Sequence, residues 1–128
     1  MNIKIVTPPD IVHGFDPSLL LICPTQDTKN HLTRLLKDVD TDLNIYIYED
    51  DKEPEWLLAV IMMSDNIFVE VDEMPPSMRD LTSYLLGFNK TFWLTKGENV
   101  YYNKINNNRV WDIEPVIEKL LGVSFEKE

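Results

Sequence analysis

Apolar residues in this chain fall in short blocks parted by polar turns, and the spacing inside the blocks switches between strand-like and helix-like. Ile3 to Val6 alternates with polar neighbours and predicts a short strand at a sheet edge. Pro8-Pro9 ends it, because proline has no amide to give to a ladder. Leu19-Leu20-Leu21-Ile22-Cys23, between Pro17 and Pro24, is an unbroken apolar run, the pattern of a strand buried on both faces. Leu32, Leu35, Leu36 and Val39 then recur at i, i+3, i+4 and i+7, one stripe of a helix that Asp27 or Thr28 can cap. Asn44 to Tyr48 is a β-prone strand running into Glu49-Asp50-Asp51.

Trp56 to Met63 is apolar all round, so periodicity does not choose between helix and strand, and a hairpin at Ser64-Asp65-Asn66 is the rival. A buried helix is preferred, because Pro54 suits a first turn and leucine, alanine and methionine are good helix formers. Ile67 to Val71 reads as the next strand. Ser77 and Asp80 form an S-x-x-D capping pattern ahead of a helix bearing Met78, Leu81 and Leu85, and Thr91 to Leu94 is a further strand. Val100 to Tyr102 can pair with Arg109 to Trp111 across Asn106-Asn107-Asn108. Asp112 is placed to cap a last helix whose Ile113, Val116, Ile117, Leu120 and Leu121 face inward and which Gly122 ends.

Strands alternating with helices predict an α/β fold, a flavodoxin-like or Rossmann-like three-layer sandwich. Its mainly parallel sheet of about five strands carries helices on both faces. Residues 1–128 read as one domain, with 1–16 a strand and connector and 124–128 a frayed tail. Leu20, Ile22, Leu35, Leu36, Val69, Val71, Trp93, Ile117 and Leu120 are expected in one core.

Charge changes the picture of what such a domain meets. With 22 acidic residues against 12 basic ones the net charge is −10, a field that repels a nucleic-acid backbone and suits a basic protein partner. No apolar stretch reaches membrane-spanning length and no leader pattern is read at Met1, so neither a membrane nor export is expected. One cysteine, Cys23, excludes an internal disulfide and points to a reducing, cytoplasmic setting; it reads as a packed, unreactive thiol. With two isolated histidines, no metal site and no cofactor are expected.

Ligands of an open parallel sheet bind beyond the carboxyl ends of its strands. Those tips carry Thr25, Gln26 and Asp27, then Glu49, Asp50 and Asp51, then Asp72 and Glu73, then Lys96. No glycine-rich phosphate loop follows the first core strand, and no Ser-His-Asp pattern is readable.

The string Asp65-Asn66-Ile67-Phe68-Val69-Glu70-Val71-Asp72-Glu73-Met74-Pro75 resembles a two-component receiver domain. That family's phosphoacceptor aspartate stands three residues before Met-Pro, where this chain has Val71. The paired acids expected after the first core strand are Pro24-Thr25-Gln26 here, so a working receiver is rejected.

Glu55 to Val71, with Leu81-Thr82-Ser83-Tyr84-Leu85-Leu86-Gly87-Phe88-Asn89-Lys90 before the strand Thr91-Phe92-Trp93-Leu94, is similar to the nucleoside 2-deoxyribosyltransferase-like domains. The resemblance spans roughly Leu19 to Leu121 and implies the same α/β fold. That family uses a glutamate nucleophile near a Gly-Thr helix start. This chain has Pro76-Ser77-Met78-Arg79-Asp80 there, and Asp80 is the nearest carboxylate.

Two functions follow as expectations. The first is a non-enzymatic domain that binds a protein partner through Glu49, Asp50, Asp51, Asp72 and Glu73; its size and its Asn-, Lys- and Ile-rich usage would suit a small phage accessory or host-modulating protein. The alternative is a nucleoside- or nucleotide-handling enzyme or sensor. It would have Asp72 or Asp80 as catalytic carboxylate and Thr25, Gln26, Asp27 and Lys96 as ligand-binding residues.

Overall fold

A computed structural model of the protein describes residues 3–12, 14, 16–49, 53–70, 91–95, 109–110 and 112–125. Six strands, β1 (Ile3–Val6), β2 (Ser18–Ile22), β3 (Leu43–Tyr48), β4 (Asn66–Val69), β5 (Thr91–Thr95) and β6 (Arg109–Val110), form one sheet in the order β1-β3-β2-β4-β5-β6. Every neighbouring pair is parallel. Three helices are described: α1 (Gln26–Leu36), α2 (Pro54–Met63) and α3 (Glu114–Leu121). The fold is the expected α/β sandwich. From β3 to β6 the order is that of flavodoxin-like sheets, and β1 adds a strand outside it.

The chain leaves β2 through α1 to reach β3, then passes through α2 to β4 on the other side of β2. Right-handed crossovers in opposite directions put their helices on opposite faces. The side chains obey this. Leu20, Ile22, Tyr46, Tyr48, Ile67 and Val69 cluster with Trp56, Leu57, Val60 and Ile61 of α2. Leu19, Leu21, Ile45, Ile47 and Phe68 cluster with Leu32 and Leu36 of α1 and with Val116 and Ile117 of α3. Burial on both faces is why residues 19–22, 45–48 and 67–69 show no polar alternation. It also corrects the single expected core. Leu20, Ile22 and Val69 belong to one half-core, Leu36 and Ile117 to the other, and Leu35, Trp93 and Leu120 pack against the latter half-buried.

Several local expectations need correction. Thr25, not Asp27 or Thr28, caps α1, its hydroxyl accepting the Thr28 amide at 3.0 Å. The α1 helix ends at Leu36, so Val39 packs from the following turn. Segment 54–63 is the preferred helix, but it is not buried all round, since Leu58, Met62 and Met63 are exposed. Arg109–Val110 pairs in parallel with Leu94 and Thr95 rather than returning across an asparagine turn. Phe125 is not frayed: it packs half-buried on the α1 side, and its amide donates to Glu118 at 3.0 Å.

Ile113, not Asp112, stands at the N-cap of α3, although Asp112 one residue earlier accepts the Glu114 amide at 2.8 Å; Gly122 closes α3 in the left-handed region at φ 67°, where glycine carries no Cβ penalty. Cys23 is buried, just past the end of β2 rather than within it. No helix among the described residues is long and apolar enough to cross a membrane. The expected helix around Met78 to Leu85, the pairing segment Val100 to Tyr102, and Val71 lie outside the described residues.

Candidate functional site

The switch point of this sheet lies between the carboxyl ends of β2 and β4, where the chain turns to opposite faces. Cys23, Pro24 and Thr25 leave β2 there. The Cys23 amide donates to the Tyr48 carbonyl at 2.8 Å, holding the turn to the end of β3. The Glu70 amide donates to the Ile22 carbonyl at 3.2 Å, holding β4 on the other side. Three strand tips thus converge, with Glu49 flanking β2 on one side and Glu70 on the other.

Glu70 is the residue that sequence reasoning missed. It is buried, and its Oε1 accepts the Thr25 amide at 3.0 Å and the Thr25 hydroxyl at 3.3 Å. The carboxylate therefore sits at the N-terminal end of α1, where the helix dipole favours negative charge and where a phosphate would otherwise seat. A signal for it existed: a carboxylate closing the apolar run Ile67-Phe68-Val69 is costly to bury unless something donates to it.

Of the expected ligand residues, Thr25 is engaged by Glu70 and by Thr28. The Gln26 side-chain amide donates to Asn30 one turn on, at 3.0 Å, and Asp27 is exposed in the first turn. Of the expected contact residues, Glu49 is exposed and ion-paired with Lys29. Asp50, Asp51, Asp72, Glu73, Asp80 and Lys96 lie outside the described residues. Among the described residues, then, the structure joins Thr25 to Glu70 and Glu49 to Lys29, and it leaves Gln26 and Asp27 on the helix surface.

One other group offers cation donors. His31 on α1, Asp112 and Glu114 hold one ligand atom each within 4.8 Å of one another. His31 Nε2 and Asp112 Oδ1 are 4.0 Å apart. Asp112 is exposed and already accepts a backbone amide, so solvation and that hydrogen bond account for the group. No known family, curated protein or solved structure matches the chain.

Glu70 yields a direct test. Glu70→Ala should cost about 1–3 kcal/mol, because the Thr25 amide loses its acceptor. Glu70→Gln, which keeps an acceptor oxygen, should recover most of that. Urea midpoints of the two variants decide it; an alanine variant as stable as the parent would mean that water replaces the carboxylate freely.

Proposed function

We propose that the protein is a non-enzymatic α/β domain that works by binding a basic protein partner along the acidic tips of its central strands. The Glu70 carboxylate carries this reading. The place where a sheet of this order receives the anionic group of a small ligand holds one of the chain's own side chains, hydrogen-bonded twice to Thr25. A nucleotide would have to displace a buried, partnered carboxylate and approach a chain of net charge −10. The same charge attracts a basic partner, and of the described tip acids Glu49 follows β3 and Glu70 follows β4, one on each side of β2.

Capture from native lysate on the wild-type protein and on a Glu49→Lys, Asp50→Lys, Asp72→Lys variant tests the reading. A basic protein should be retained by the wild type at low salt. Its association should slow by roughly tenfold or more in the variant and fall as salt rises. Nucleoside turnover by the wild type, lost in Asp72→Asn or Asp80→Asn, would replace this reading with the enzyme alternative.

A further inference from the structure

The added strand makes the sheet wider than the helices that cover it. Among the described residues β1 pairs with β3 alone, with Ile3 beside Leu43 and Ile5 beside Ile45. Its two faces are treated differently. Towards α2, Val6 is buried in the half-core against which the connector residues Ile11 and Val12 pack. Towards α1, Ile5 is 59% exposed. Between that bare face and α1 runs a groove of about 440 Å³. Its floor is Ile3, Ile5, Ile45 and Ile47, and its apolar wall is Leu32 and Leu36.

Two lysines stand on the rim of the groove in a strongly negative chain. Lys29, Thr33 and the C-cap Lys37 border it at four-residue intervals, so the backbone positions of the two lysines stand about 12 Å apart along the helix. Lys29 is shared with Glu49, and Lys37 makes no ion pair among the described residues. The outer edge of β1 is a poor template for another strand. It is four residues long, its Lys4 is exposed, and Pro8-Pro9 follow. What the groove suits is therefore something that covers the face. A helix packed beside α1 at the usual 8–10 Å spacing lies about two strand widths away, over β1.

We propose that this groove is the docking site for an amphipathic helix of an acidic partner protein. The apolar stripe of that helix lies on Ile3 and Ile5, over the buried Ile45, and two of its carboxylates, two turns apart, face Lys29 and Lys37. The groove meets the acidic strand tips at Glu49, the ion-pair partner of Lys29, while its apolar floor is separate from them.

The test uses the full chain with isoleucine methyl groups labelled for NMR. The probe is a synthetic amphipathic peptide with glutamates two turns apart beside its apolar stripe, and its counterpart has lysines in their place. Saturable shifts at Ile3, Ile5 and Ile45 are expected with the glutamate peptide, and affinity about tenfold or more weaker for the lysine peptide. Ile5→Asp should abolish binding; because Ile5 is largely exposed, an unchanged urea midpoint will show that the fold survives. Lys37→Glu should reverse the peptide preference, while Asp72→Lys should leave binding of the glutamate peptide in place. Absence of saturable shifts, or equal affinity for both peptides, overturns the proposal. So does a concentration-dependent dimer that Ile5→Asp dissolves, which would give the groove to a second copy, or tighter binding of decanoate, which would give it to an aliphatic acid.

Discussion

Replacing Trp56 with alanine is expected to destabilise the protein by about 3–5 kcal/mol. Trp56 is buried in α2 and stacks on Tyr48, with centroids 6.0 Å apart and planes 16° from parallel. It meets Tyr46 edge-on at 5.9 Å and 70°. Its indole N–H donates to the Asp10 carbonyl at 2.6 Å, which fastens the connector after β1 to the helix. Alanine removes the buried ring, both aromatic contacts and that fastening together. Trp56→Phe retains the packing and loses the hydrogen bond, so it should cost closer to 1 kcal/mol. Urea unfolding followed by far-UV circular dichroism measures both. Equal losses for the two variants would show that the hydrogen bond, and not the ring, dominates.

Phe68→Ala should cost a comparable 3–5 kcal/mol on the opposite face. Phe68 is fully buried in β4, with Leu21 of β2 and Trp93 of β5 as its lateral partners. Its half-core is bounded by α1 and α3. A central strand fixed on both sides relaxes little into a cavity, so most of the void persists. Phe68→Leu, nearer in volume, should lose less than about 1.5 kcal/mol. If Phe68→Ala shifts the urea midpoint no more than Phe68→Leu does, the α1 face is not close-packed at its centre.

Much of this fold was legible because burial leaves a mark on composition. The runs around β2, β3 and β4 are continuous because both faces of the sheet are covered, and the stripe of α1 is periodic because only one side is. The α2 segment was harder. Its outer face is also apolar, with Leu58, Met62 and Met63 exposed, so no contrast signalled its orientation. The division of the core could not be read from apolar content, since the alternation that separates Leu20 from Leu21 is hidden when both are leucine. Pairing partners were least legible: Arg109–Val110 joins β5 in parallel through contacts that no local turn signal encodes. At the candidate site, the tip residues Thr25 and Glu49 were found from strand ends alone. Glu70 was not, because its role depends on which strand lies beside β2, a fact of topology and not of spacing.

The one-sided attachment of β1 bears on how this protein opens. Among the described residues β1 joins the sheet only through β3, and the whole of β2 and α1 intervene in the chain. Releasing it breaks one short ladder and uncovers Val6, while β2 to β6 keep their pairing and both half-cores keep their helices. Local opening free energies follow the contacts that opening breaks, so the amides of Ile3 to Val6 should exchange with solvent deuterium well before those of β2 or β4. The strand that supplies the floor of the lysine-rimmed groove is thus also the first to come away. A helix seated in that groove would hold the strand closed, and its arrival would register as slowed exchange at the sheet edge with none at the centre.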